Sequence, residues 1–150
     1  MSRPKLIPEL YTADFRRSID FYTGVLGFSV RYDRPEDRFA YLEREGVELM
    51  IEQTVDTSRL FLAGPLEFPF GRGLHLQIEV GDIASLYQRV QTAGASLLLS
   101  LEERWYRRGD EEVGNRQFVV TDPDGYVLRF FQSLGARPAS STLVLRQSSG

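Results

Sequence analysis

The chain has 150 residues, 42% hydrophobic and 26% charged, with 18 Lys and Arg against 21 Asp and Glu for a net charge of −3. One domain of that size buries enough surface to fold without covalent staples, and the chain has no Cys, which excludes a disulfide framework, a Cys-built zinc site and a Cys nucleophile. Mild, dispersed acidity argues against a nucleic-acid partner, no run approaches the ~20 apolar residues of a membrane span, and the first residues lack a signal peptide's apolar core, so a soluble cytoplasmic domain is expected.

Residues 5–11 read as a short strand. Asp14 then offers an oxygen to the free N–H groups of a helix start. Phe15, Ile19, Tyr22 and Leu26 follow at steps of four, three and four, the period of one apolar helical stripe, and Gly27 closes it. Three strands come next, over 28–32, 38–43 and 47–53, separated by Pro35-Glu36-Asp37 and by Glu45-Gly46. Residues 54–73 set Pro65, Pro69 and three glycines among Leu60, Phe61, Leu62, Phe68 and Phe70, and read as a connector or a mobile lid.

The pattern then restarts. A strand over 74–80 precedes Asp82, a second cap, and Ile83, Leu86, Tyr87 and Val90 form a second stripe closed by Gly94. Strands are predicted over 97–101, 115–121 and 126–132, with a long hairpin over 102–114 and a tight turn at Asp122-Pro123-Asp124-Gly125. Asp82 stands 68 residues after Asp14, and Gly94 stands 67 after Gly27, so a β-α-β-β-β unit occurs twice in register. The expected fold class is α+β. Module one spans 5–53, the connector 54–73 and module two 74–132, all within one domain over 1–134. Residues 135–150 read as a flexible tail, with 142–146 at most a short edge strand.

Alternation assigns the strand faces. Glu48, Met50 and Glu52 alternate with Val47, Leu49 and Ile51; His75, Gln77 and Glu79 alternate with Leu74, Leu76 and Ile78. In the first strand Ile7, Glu9 and Tyr11 share a side, and in the last Val127, Arg129 and Phe131 do. One face of each sheet is apolar and carries a helix. The other is charged and aromatic, a candidate ligand surface. Its expected binding residues are Glu9, Tyr11, Glu48, Glu52, His75, Gln77 and Arg129, joined by Trp105 and Tyr106 from the hairpin. Ile7 and His75 are expected to be equivalent, as are Glu52 and Arg129, which would meet as an ion pair across a cleft floor. The carboxylates suit a cationic planar ligand, and Trp105 either covers a groove or packs on a second subunit. No phosphate loop or nucleophile elbow is present.

The stretches "TADFRRSIDFYTGVLGFSV", "VELMIEQ", "GLHLQIEVGDIASLYQRVQTAG" and "RQFVVTDPDGYVLRFFQ" resemble the vicinal oxygen chelate superfamily, which includes glyoxalase I, extradiol dioxygenases, and fosfomycin- and bleomycin-resistance proteins. The resemblance implies two paired modules and, in metal-dependent members, one ligand from the first and one from the last strand of each repeat. Carried over, these positions are Ile7, Glu52, His75 and Arg129. Ile7 has no donor atom and Arg129 is a permanent cation, so neither metal nor cofactor is expected. With "RPEDRFAYLER", the pattern is most similar to the bleomycin-resistance branch, whose members are dimers that bind a glycopeptide antibiotic without altering it. Some of these carry a Trp four residues before the Phe of the seventh strand, where this chain has Gly114. The implied function is sequestration of an antibiotic or similar cationic aromatic compound by a homodimer, with no catalytic residue. The alternative is a metal-dependent lyase, isomerase or dioxygenase in which Glu9 or Glu48 joins Glu52 and His75.

Overall fold

A computed structural model describes residues 3–53 and 60–139. Module one holds β1 (Glu9–Tyr11), α1 (Phe15–Asp20), β2 (Ser29–Arg34), β3 (Phe39–Arg44) and β4 (Val47–Glu52). Module two holds β5 (His75–Glu79), α2 (Ile83–Thr92), β6 (Ser96–Arg108), β7 (Glu111–Thr121) and β8 (Val127–Pro138). They form two four-stranded sheets of matching order, β1-β4-β3-β2 and β5-β8-β7-β6. β1 runs parallel to β4 and β5 to β8; the other pairs are antiparallel. This is the expected α+β fold of two β-α-β-β-β modules.

Each helix start is met twice. Asp14 Oδ1 accepts from the Arg17 N–H, and Asp82 Oδ1 from the Ser85 N–H, both at 3.1 Å. Gln53 Oε1 also accepts from the Phe15 N–H at 2.7 Å, as Gln132 Oε1 does from the Ile83 N–H at 3.0 Å. Two otherwise unpaired donors of each first turn are thereby satisfied. α1 ends sooner than its apolar stripe predicts: Phe21–Val25 is a π turn, in which the Leu26 N–H reaches back to the Phe21 carbonyl. β1 is also shorter than predicted. Pro8 lacks an N–H, so it contributes only its carbonyl, which accepts from Met50 N at 2.9 Å.

The apolar faces of both sheets and both helices share one core that includes Tyr22, Leu26, Leu42 and Ile51 with Ile83, Leu86, Phe118 and Phe130. Each module's turn reaches the other module's helix. From the β7–β8 turn, Asp122 Oδ2 accepts from Tyr22 Oη at 2.7 Å, and Asp124, 1% exposed, accepts from the Ala13 N–H and Arg17 Nη2, both at 3.0 Å. From the β3–β4 turn, Glu45 Oε1 accepts from the Gly81 N–H at 3.2 Å, ahead of α2. Residues 60–73 of the connector form neither helix nor strand, and 54–59 lie outside the described residues. Phe70 is buried and donates its N–H to the Asp124 carbonyl at 2.8 Å. Gly125 sits at φ +95°, and a Cβ there would stand 2.5 Å from Pro69 Cβ, so the turn needs both glycine's left-handed backbone and its missing side chain.

The tail is corrected. Residues 135–138, expected to be flexible, form the end of β8 and pair with β7, Gly135 with Gly114 and Pro138 with Glu111. Their partners are side chains that linker-like composition does not reveal: Arg137 Nε donates to the buried Glu112 at 2.9 Å and its guanidinium lies 3.7 Å from the Trp105 ring centre. The hairpin over 102–114 is likewise strand on both sides of a turn at Gly109-Asp110. The possible edge strand at 142–146 lies outside the described residues. Among those described, no helix is long and apolar enough to cross a membrane.

Candidate functional site

The mixed face of the first sheet is built by β4, β3 and β2 in register. Met50 pairs with Tyr41, Glu52 with Phe39, and Tyr41 with Tyr32. Tyr32 and Tyr41 stack at 5.0 Å, and Phe39 lies 6.0 Å from Tyr32. Arginines cover these rings: Arg34 stands 4.1 Å from the centre of Phe39 and Arg3 5.3 Å from that of Tyr41. Glu48 is engaged already, accepting from Tyr41 Oη at 2.7 Å and from Arg31 Nη1 at 3.0 Å. That bond raises the Tyr41 pKa above its ordinary value. Burial, and then the neighbouring Glu9 carboxyl, raise the pKa of Glu52. Glu9 and Glu52 thus stand as neighbouring carboxyls on this face. Tyr11 accepts at its hydroxyl from the Phe61 N–H at 3.1 Å, which ties the connector to this face. A cavity of about 610 Å³ opens beside Arg3, Tyr32, Tyr41 and Glu48.

The mixed face of the second sheet has its own cavity, about 390 Å³, at which His75, Glu102, Arg104, Tyr106, Gln117 and Arg129 meet over Leu99, Val119 and Val127. Arg129 Nη2 donates to Tyr106 Oη at 2.8 Å and to Gln117 Oε1 at 2.7 Å. Gln77 lies beside Arg129 in the β5–β8 register and is exposed. The two cavities share no lining residue.

Three expectations about positions are corrected. Glu52 and Arg129 form no ion pair: they belong to different sheets, and Arg129 bonds instead to Tyr106 and Gln117. Nor are they equivalent. Glu9 pairs with Met50 as its counterpart Gln77 pairs with Arg129, which makes Met50 the partner of Arg129 in the repeat, and Phe131 the partner of Glu52. Trp105 does not join Tyr106 in the cavity. Adjacent strand residues point to opposite faces, and Trp105 lies on the other one, over Gly114 and under Arg137. The sequence reading missed Tyr32, Phe39, Tyr41, Arg104 and Gln117. Alternation in "FAYLER" already sets Phe39 and Tyr41 on the face opposite Ala40 and Leu42, a signal that could have found them.

The profile of the glyoxalase/bleomycin resistance protein/dioxygenase superfamily matches residues 7–130. The chain belongs to this superfamily. Bleomycin resistance proteins from Geobacillus stearothermophilus and Staphylococcus aureus are each 32% identical to it over 136 residues, covering 85% of this chain and 96% of theirs. Among solved structures, TioX from Micromonospora sp. ML1 is 24% identical, with a TM-score of 0.67 over 89% of this chain and 100% of TioX, a likeness of fold.

Of the metal positions that the family resemblance implies, Ile7, His75 and Arg129 stand, and register replaces Glu52 by Met50 as the counterpart of Arg129. An alkyl chain, a thioether, one imidazole and a guanidinium do not fit a divalent ion. Within one chain the substitute set does not come together either, since Glu48 is bound to Arg31 and Tyr41, and His75 stands on the other sheet from Glu9 and Glu52. Among the described residues, no three His, Asp or Glu side chains gather to hold a metal.

Proposed function

We propose that this chain is a metal-free binding protein of the cytoplasm that sequesters an antibiotic or a similar cationic aromatic compound, in grooves completed by a second copy of itself. The observation that carries the reading is a pair of open cavities, one on each mixed face, that share no lining residue: the first is built by β2, β3 and β4 with Arg3 and Pro4, the second by β5, β6, β7 and β8. Each is half a groove. A homodimer that lays the first sheet of one copy against the second sheet of the other closes both at once, as an isologous interface does. Tyr32, the exposed ring of the Tyr32–Tyr41 stack, offers a platform for a planar group, and Glu9 and Glu52, beside the first cavity on the same sheet, offer charge to a cation. The 32% identity to bleomycin resistance proteins supports a ligand of that class. Binding alone removes free drug by mass action, so no catalytic group is needed.

Calorimetric titration with bleomycin tests the reading. The expected result is a saturable heat whose affinity falls as salt rises, because the Glu9–Glu52 attraction is screened over about 8 Å at physiological ionic strength, while the aromatic contact persists. No heat at any salt concentration overturns the antibiotic assignment.

A further inference from the structure

The cavity on the second sheet differs in charge from the acidic ligand surface that the strand pattern leads one to expect. Arg129 has no carboxylate within ion-pair distance among the described residues; its two bonds both leave from Nη2, to neutral oxygens. Its Nε–H and Nη1–H groups make no hydrogen bond to a described residue. The guanidinium only donates, so it fixes the Gln117 amide with oxygen toward Arg129 and nitrogen toward Tyr106 and Glu102, at 2.6 and 3.0 Å. Tyr106 Oη therefore accepts twice, from Arg129 and from Gln117, and its own proton goes to no described residue. A hydroxyl polarised by a cation and an amide, with its O–H unspent, is a strong donor to an anion. Arg104 adds a second guanidinium, 6.0 Å from the Tyr106 ring centre, and His75 stands at the rim. Among the described residues, Glu102 is the one carboxylate lining this cavity, against two arginines. The walls, Leu99, Val119 and Val127, are apolar.

From this geometry we infer that the second-sheet cavity binds the carboxylate of a small organic acid with a planar or branched apolar body, Arg129 and the Tyr106 hydroxyl holding the oxygens. The Nη1–H groups of Arg129, unspent on described residues, donate charge-assisted hydrogen bonds to a carboxylate oxygen beside the Tyr106 hydroxyl, and a cavity of about 390 Å³ with apolar walls has room for a ring-sized body. The inference rests on the reading of this face as a ligand surface but changes the ligand. If the groove joins this cavity to the Glu9–Glu52 side of a second copy, its natural ligand is amphoteric, with a cationic group at one end and a carboxylate at the other.

The test uses benzoate as probe, with benzamide as its uncharged counterpart and inorganic phosphate as an anion without an apolar body, all read by ligand-observed NMR and calorimetry. Benzoate is expected to bind, benzamide to bind at least about tenfold more weakly, and phosphate not to displace benzoate. Arg129→Gln, which removes the charge but keeps an amide donor, is expected to weaken benzoate by about tenfold or more, and Tyr106→Phe by several-fold. Glu102→Gln removes a repelling charge and is expected to strengthen it, an outcome no loss of folding can imitate. Equal affinity for benzoate and benzamide, an unchanged affinity in Arg129→Gln, or a weakened one in Glu102→Gln overturns the inference. Displacement by phosphate at equal concentration overturns it in favour of a bare oxyanion site. Bleomycin failing while benzoate binds through Arg129 defeats the antibiotic reading alone; bleomycin binding while benzoate fails defeats this one alone.

Discussion

Asp122 is 5% exposed, yet it is a carboxyl at the junction of the two modules. Burial pushes its pKa up to about 6, against the hydrogen bonds from Tyr22 and the Tyr126 and Asp124 backbone N–H groups, which lower it; the nearby Asp124 charge adds to the rise. A carboxyl whose folded pKa lies above its unfolded value binds more protons when folded. Its contribution is fully present below the unfolded pKa near 3.8 and is lost as pH rises through about 6. The difference corresponds to about 3 kcal/mol. Urea unfolding followed between pH 4 and 7 should therefore show the wild type losing stability more steeply than Asp122→Asn, in which position 122 no longer titrates; superimposable profiles would contradict this account of the turn. At the same scale, parity along a strand was legible and register between repeats was not. Alternation placed Glu9, Glu48, Glu52, His75 and Arg129 on the mixed faces from neighbours one residue away. Matching Glu52 to Arg129 required a count across the repeat, and the longer β6–β7 arm stretches that count: Gln77 follows Glu9 by 68 residues, while Arg129 follows its true partner Met50 by 79.

At the scale of elements, the arm made by β6, β7 and the end of β8 extends past the shared core and is held by side chains of its own. Trp105 lies on Gly114, and a Cβ at that glycine would meet three ring atoms at 2.7 Å. For the ring to retreat, it must displace the Arg137 guanidinium that stands on it and is itself anchored to Glu112. Gly114→Ala is thus expected to destabilise the protein by about 1–3 kcal/mol, as overpacking does. A urea midpoint unchanged from wild type would mean that the arm repacks freely. The arm also shows why helices were easier to read than strands in this chain. α2 and the start of α1 announce themselves by an apolar stripe and an aspartate cap. The outer parts of β6 and β7 are rich in Arg and Glu, and 135–138 is Gly-Ala-Arg-Pro, so neither carries the period-two hydrophobicity that marks a strand. Their order comes from Trp105, Arg137 and Glu112 meeting across three strands, which a linear pattern does not display.

For the molecule as a whole, the repeated module and the family were legible, because caps, stripes and turns recur in register over 124 matched residues, 7–130. The division of the ligand surface between two sheets was not legible, because it depends on how the modules are clasped. Asp122 and Asp124 hold the start of module one, Glu45 holds the start of α2, and both helices lie in one core with the apolar faces of both sheets. Each mixed face carries a cavity of its own, and the two share no lining residue. The central claim is that a working groove takes its first-sheet face from one copy and its second-sheet face from another. Complementation tests it most directly. Glu52→Lys damages only the first face, and Val119→Arg, which fills the second cavity and repels a cation, only the second, and each variant alone is expected to lose bleomycin binding in calorimetry. Refolded together, they should recover about a quarter of the wild-type binding capacity, since half of randomly paired dimers are mixed and each mixed dimer holds one undamaged groove. Recovery of none, with both variants folded and dimeric, would contradict the claim and place the whole site within a single chain.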